Sequence, residues 1–429
     1  MKKVLVYSHY AHSRLDYAAG FVFGTVGQCE WQITQSEEEF VKAEGVIKVV
    51  YLSEEVARAR EDLPGFKTFQ VSGWTTENLK PETALINNHF VLFPSPDQKT
   101  FDVFAMTYWC LSRQEEYLLP ENQKDKHGRF PAKASLFHQH GVLEKPVLDI
   151  AVLYYLKQLG IEPEIPFYTQ PSIDVDIAFA LKGRSFLRTC GTFVKSALRN
   201  PFQIIDNLSV LLGRKQDPND TYSYISEILI NYSTTRIFWH CGKERNALDK
   251  QVLRTYAPFP KAIKQLSACL ETGIHPSFVA YGHSNALKEE KNWLQSTCSK
   301  AIVHSRQHYI LLKFPETYRN LIASGIQHDY SMGYPDAPGF RAGTARPFHW
   351  YDSEREEETT LTIHPFCIME VTCSLYLNYN IENAVKKGLE LKEIIKSTGG
   401  VFGFIFHNES LSNHGKWRGW RSVFETWLK

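Results

Sequence analysis

Two carboxylates held one residue apart at the end of an extended run do most to limit what this chain can become. Ser172-Ile173-Asp174-Val175-Asp176 follows a loop-like stretch, Pro163–Gln170, and precedes the apolar run Ile177–Leu181. Alternation with a period of two places Asp174 and Asp176 on one face of a strand, at its C-terminal end. Parallel α/β architectures keep their chemistry at that end. Two carboxylates this close need a cation or a proton between them if the site is dry. The pair therefore points to a metal site with a base beside it, whereas an isolated D-x-D is read most simply as a solvated turn.

Four later clusters lift this pair above the isolated case. Gly273-Ile274-His275-Pro276-Ser277-Phe278 follows an amphipathic stretch (Ile263, Leu266, Leu270) that ends at Gly273, as a helix C-terminus does. Ser305-Arg306-Gln307-His308 lies between the apolar runs Ala301–Val303 and Tyr309–Leu312. Gly339-Phe340-Arg341-Ala342-Gly343-Thr344 ends a loop rich in glycine and proline, and Phe406-His407-Asn408-Glu409 follows the strand-like Val401–Phe406. Strand-like runs alternating with helical segments such as Ala384–Lys396 predict βα units with parallel strands, an α/β fold. A carboxylate pair, three histidines and an arginine at the ends of different βα units form a hydrolase constellation.

In their order and spacing these motifs (D-V-D, G-I-H-P-S, G-F-R-A-G-T, F-H-N) resemble the polysaccharide deacetylase, or NodB-homology, family of metal-dependent carbohydrate esterases. The segments Ser305–Tyr309, Asp329–Tyr334, Pro347–Asp352 and Gly419–Arg421 strengthen the likeness, which covers roughly residues 168–429, and resemble a cytoplasmic-looking bacterial subgroup with an uncharacterised N-terminal region. The resemblance implies an irregular (β/α) barrel over residues 166–429, with a helical insertion near 184–222, preceded by an α/β module over residues 1–165. It implies Asp174 as general base, Asp176 and His275 as metal ligands, Arg341 as the group that orients the base, and His407 as general acid. The family's second histidine, four residues after the first, is Val279 here, and an aspartate expected near Met369 is Glu370. A catalytic divalent ion needs about three protein ligands and an open position. His308 is the expected replacement, preferred to His283 because a strand holds a ligand better than the Gly282–Asn285 loop. Zinc is the expected ion and an N-acetylated sugar or polysaccharide precursor the expected substrate, with Trp350 and Tyr351 available to stack on pyranose faces. A catalytically silent glycan-binding module and an amide C–N hydrolase with a non-sugar substrate are the alternatives.

Net charge is +1, from 48 basic and 47 acidic residues, which gives no electrostatic reason for a nucleic-acid or anionic-membrane partner. No apolar stretch reaches the length of a membrane span. Met1–Tyr7 reads as a first strand and not a signal peptide. The eight cysteines form no C-x-x-C pair and read as free thiols, so a cytoplasmic setting is expected. In the N-terminal third, Lys3–Tyr7, Trp31–Thr34, Val46–Tyr51 and Thr68–Val71 read as strands, and no glycine-rich phosphate loop follows any of them. The dense polar loops Ser112–Tyr117 and Lys126–Pro131 are expected to line a cleft or an interface between domains.

Overall fold

A computed structural model describes the chain apart from residues 61, 76–79, 186–187, 192, 194–201 and 245–247. It divides into two compact units. The first comprises Met1–Tyr168, Gly339–Cys367 and Leu391–Val401, and the second Thr169–Pro338, Ile368–Glu390 and Phe402–Lys429.

The first unit is built on a parallel sheet of β1 (Lys3–Tyr7), β2 (Glu30–Thr34), β3 (Ile47–Ser53) and β4 (Phe66–Gln70), in the order β2-β1-β3-β4. One face carries a cluster of Leu5, Tyr7, Phe40, Val50, Leu52 and Leu63. The helix Val103–Leu111 is buried along its whole length, and its start is fixed by Asp102, whose carboxylate accepts from the amides of Phe104 and Ala105. An antiparallel hairpin, β5 (Thr83–Ile86) and β6 (His89–Leu92), was not expected from the sequence.

In the second unit β7 (Phe167–Val175), β8 (Arg236–His240), β9 (Glu271–His275), β10 (His304–Ser305) and β11 (His328–Asp329) pair in parallel. The chain then returns to the first unit for the hairpin β12 (Phe348–Asp352) and β13 (Glu357–Ile363), before β14 (Ile368–Met369) and β15 (Gly400–His407). The order in the second unit is β11-β10-β9-β8-β7-β15-β14. From Ser172 to Val175 both faces of β7 are buried, as expected of a parallel strand covered on each side. The α/β class with parallel strands is therefore observed. Part of the expected insertion near 184–222 lies outside the described residues. Its described part contains the helix Phe202–Leu211 and the start of the helix Tyr222–Leu229.

The G-F-R-A-G-T segment belongs to the first unit. Phe340 N–H donates to Leu143 O at 2.9 Å, and Leu148 N–H donates to Gly343 O at 2.8 Å. Asp149 accepts from Thr344 Oγ1 at 2.6 Å and Ala345 N at 2.9 Å. Gly339 has φ +140°, and a Cβ there would lie 2.5 Å from the Leu143 carbonyl, so this glycine is fixed by close backbone packing. The polar loop Ser112–Tyr117 joins the same network: Arg341 Nε and Nη2 donate to the two oxygens of Glu116 at 2.8 and 2.6 Å, and Arg113 Nε donates to Glu116 at 2.9 Å. Trp350 and Tyr351, expected as sugar platforms, are fully buried, as are Phe340 and Phe348. Tyr351 Oη lies 2.7 Å from Ser13 Oγ and donates to Glu356 at 2.9 Å. These rings are core.

Candidate metal centre

The parallel register assembles the site. Val175 stands opposite Trp239, and His240 opposite His275, so Asp176, one residue beyond β7, continues the row in which β8 and β9 end on histidines. Gly273 permits this closeness: a Cβ there would sit 2.6 Å from the Phe238 ring. Beyond β10 the backbone turns sharply, with Tyr309 at φ +59° and Ile310 at φ +56°. A positive φ is costly for a β-branched residue, and the strained turn fixes the path of the chain directly after His308. His308 thus sits in a short 3-10 turn, His308–Ile310, and not on a strand as expected.

Asp176, His275 and His308 converge. Asp176 Oδ1 is 3.1 Å from His275 Nε2, and Asp176 Oδ2 is 3.5 Å from His308 Nε2. His283, the weaker choice, stands at the N-cap position of the helix Ser284–Cys298 and is not in this group. The protonation pattern of His275 follows from its partner. Its Nδ1 lies 2.7 Å from the carbonyl oxygen of Arg306, which can only accept, so Nδ1 carries the hydrogen and Nε2 turns a lone pair toward Asp176. Burial pushes the His275 ring below its usual pKa, only partly offset by Asp174 and Asp176, and keeps it neutral.

These residues fit a divalent ion. Although 3.1 Å from His275, Asp176 Oδ1 is a buried atom that receives no hydrogen bond. Two ligands of one tetrahedral ion, each at about 2.0–2.1 Å, stand about 3.3 Å apart; here the two Asp176 oxygens lie 3.1 and 3.5 Å from the two imidazole nitrogens, and one ligand atom from each residue lies within 4.8 Å of the others. Burial works against a charged His308 ring, but Asp176 and Asp249 outweigh it and lift its pKa to about 9, so positive charge is favoured at this point. The Asp176 side chain is 31% exposed while His275 and His308 are buried, which leaves the group open on one side.

Around this centre stand the other titratable groups. Asp174 is buried, with Oδ1 3.6 Å from Arg306 Nη1. Arg306 lies over the Phe238 ring, and burial draws its pKa down while Asp174 and Asp329 hold it up. The arginine beside the proposed base is therefore Arg306; Arg341, expected in that role, gives two of its donors to Glu116 in the first unit. His407, at the end of β15, has Nε2 3.7 Å from Asp176 Oδ2 and Nδ1 2.8 Å from Glu370 Oε1. Glu370 also accepts from the His407 amide at 2.8 Å and from Ser410 Oγ at 2.7 Å. Burial opposes a charged His407, yet Glu370 and Asp176 raise its pKa well above the usual value.

Sequence reasoning did not single out His240 or Asp249, nor Arg306 as the partner of Asp174. His240 carried a signal, since it ends the apolar strand Ile237–Trp239 as His407 ends Val401–Phe406. Asp249 follows the undescribed residues 245–247 and lies outside any strand or helix, so no periodicity marks it.

A model described as a family of unknown function, DUF7033, matches residues 4–160. No curated protein matches the chain. By structure the chain is similar to a Mycobacterium smegmatis protein assigned to the polysaccharide deacetylases, at 13% identity and a TM-score of 0.39, covering 62% of this chain and 85% of that one. It is similar to PuuE allantoinase at 10% identity and a TM-score of 0.39, covering 62% and 88%. It is also similar to the polysaccharide deacetylase Bc1974 from Bacillus cereus, at 9% identity and a TM-score of 0.29, covering 62% and 86%.

Proposed function

We propose that the second unit is a divalent-metal-dependent hydrolase of amide C–N bonds, removing acetyl groups from an N-acetylated sugar or polysaccharide precursor. The reading takes its parallel sheet as an irregular barrel and follows the resemblance of its motifs. The observation that carries it is the convergence of Asp176, His275 and His308, flanked by Asp174 with Arg306 on one side and His407 with Glu370 on the other.

Asp176, His275 and His308 would hold the ion, zinc being the expected one. When bound it supplies Lewis acidity and makes a neighbouring water more acidic. Asp174 accepts the proton that this water loses as its oxygen attacks the acyl carbon. Arg306, with Nη1 3.6 Å from Asp174 Oδ1, places a buried positive charge beside that carboxylate. His407, held protonated by Glu370, gives the Nε2 proton to the nitrogen as the C–N bond breaks, so that acid and amine leave. No helix among the described residues is long and apolar enough to cross a membrane. A cytoplasmic setting with a soluble N-acetylated intermediate is part of the proposal.

One observation favours a second reading, a non-sugar amide. Trp350 and Tyr351 are buried and offer no stacking face to a pyranose. Zinc-loaded protein assayed against a panel of N-acetyl sugars, ureido compounds and formamide-like amides decides between them. Release of acetate from the sugars supports deacetylation, and turnover of the ureido compounds alone supports the second reading. No bound divalent ion and no turnover of any member would refute both.

A further inference from the structure

His308 has a carboxylate on each side. Its Nε2 faces Asp176, while its Nδ1 lies 3.4 Å from Asp249 Oδ1. Asp249 is buried completely and is itself fixed from three directions. It accepts from the backbone amides of Phe278 at 2.8 Å and Val279 at 3.3 Å. Its Oδ1 also lies 3.0 Å from His240 Nε2. The His240 tautomer is determined locally: the Gly242 amide donates to His240 Nδ1 at 3.3 Å, so Nδ1 carries a lone pair and Nε2 carries the hydrogen given to Asp249. His240, Asp249 and His308 also come close enough to hold an ion of their own. However, His240 Nε2–H and the two amides already fill lone pairs of Asp249, and His240 Nδ1 is filled by Gly242. Such a set behaves as a support and not as a vacant ligand cage.

We infer that Asp249, set by His240 and by the amides of Phe278 and Val279, is the positioning residue that turns His308 into the third metal ligand of this site. The inference rests on the metal reading proposed above and adds a role that no motif assigns. Its logic is local. Residue 279 supplies no imidazole, but its backbone amide holds the carboxylate that orients the imidazole arriving from residue 308. A metal-bound histidine whose other nitrogen meets a carboxylate is oriented and made more basic, and removing that carboxylate weakens metal affinity about 10- to 100-fold.

The test uses the full chain and zinc alone, with affinity read by competition against a chromogenic chelator. Visible absorption of the cobalt(II) form reports the ligand field, and melting of the metal-free form reports folding. Asp249→Asn and His240→Ala should each weaken zinc binding about 10- to 100-fold and shift the cobalt bands. His240→Gln, which keeps a donor toward Asp249, should recover most of the loss. If Asp249→Asn fails to fold, the His240 pair carries the test. Parent-like affinity with an unchanged cobalt spectrum in folded Asp249→Asn or His240→Ala would overturn the inference while leaving the metal site standing. So would two zinc ions per parent chain with one lost in Asp249→Asn, since Asp249 would then be a ligand. A parent chain that binds no zinc would overturn this inference together with the proposed function.

Discussion

Arg341 and Arg306 invite a crossed experiment, because Arg341, expected to orient the base, is paired with Glu116, while Arg306 lies beside Asp174. Glu116 lies between two guanidinium groups, and the side chains of Glu116, Arg341 and Arg113 are 5%, 1% and 0% exposed. The Arg341 contact is bidentate, the strongest form of such a pair. Glu116→Gln removes the charge, keeps the shape, and turns a neutral amide to the Arg341 fork, while Arg113 keeps Glu115 at 2.8 Å. Breaking a buried pair from one side costs about 3–5 kcal/mol. In a unit of roughly 200 residues each kcal/mol moves Tm by about 2–4 °C, so the first unit should melt on the order of 10 °C lower. Glu116 also sets the sign with pH. Burial alone would raise its pKa, but Arg341 and Arg113 outweigh this and hold it below the ordinary glutamate value of about 4.5. A depressed carboxyl contributes stability that is present above about 4.5 and lost as pH falls through the lower folded value. The gap in Tm between parent and Glu116→Gln should therefore be widest at neutral pH and close in acid, as calorimetric melts from pH 3 to 7 would record. Arg341→Met should show the same loss of stability, with zinc affinity unchanged. A Glu116→Gln melt within about 2 °C of the parent at pH 7, or an Arg341→Met protein with parent-like melting and lost turnover, would refute this and return Arg341 to the base.

Three substitutions in the second unit separate its roles. Asp176→Ala should abolish stoichiometric zinc binding, measured by metal analysis after dialysis, because it removes the one charged ligand of the group. Asp174→Asn should keep the metal and lower kcat by about 10²–10⁴-fold, the usual span for general-base catalysis. His407→Asn should lower kcat more than it alters zinc affinity; a variant that loses both in proportion would make His407 a ligand in place of the acid.

What could be read from the sequence was local in origin. Asp174, Asp176, His275 and His407 stand at the ends of apolar runs, and the period of each run fixes which way the polar residue faces. The four strands of the first unit's parallel sheet, β1 to β4, were placed within about two residues for the same reason. Other assignments depended on distant packing. Arg306 sits in a polar cluster after an apolar run and Arg341 in one that ends a Gly- and Pro-rich loop, and nothing near either reports that Gly339 packs on the Leu143 carbonyl nearly two hundred residues earlier, drawing Arg341 to Glu116. Trp350 and Tyr351 were read from their chemistry as surface platforms, although aromatics in a strand are as readily core. One missed element did carry a signal. Asn87-Asn88 joins Ile86 to His89, both asparagines have positive φ (48° and 65°), and an Asn-rich two-residue loop between apolar runs is how a tight hairpin is read.

Val279 bears most directly on whether the site works. Read along the sequence, it removes a ligand and favours a silent module. In space the account differs. His308 supplies an imidazole at Asp176, a strained turn at Tyr309 and Ile310 fixes the chain beside it, and Asp249 stands at its far nitrogen. Burying two histidines and a carboxylate around one point costs desolvation that fold stability alone does not reward. A unit kept only as scaffold would be more stable with apolar side chains at 275 and 308. Arg306 is likewise held beside Asp174, and His407 beside Glu370, each a buried charge costly to maintain without a task. On the proposed function, residue 308 supplies the ligand that residue 279 lacks, Asp174 with Arg306 serves as the base and its arginine, and His407 with Glu370 as the acid and its carboxylate.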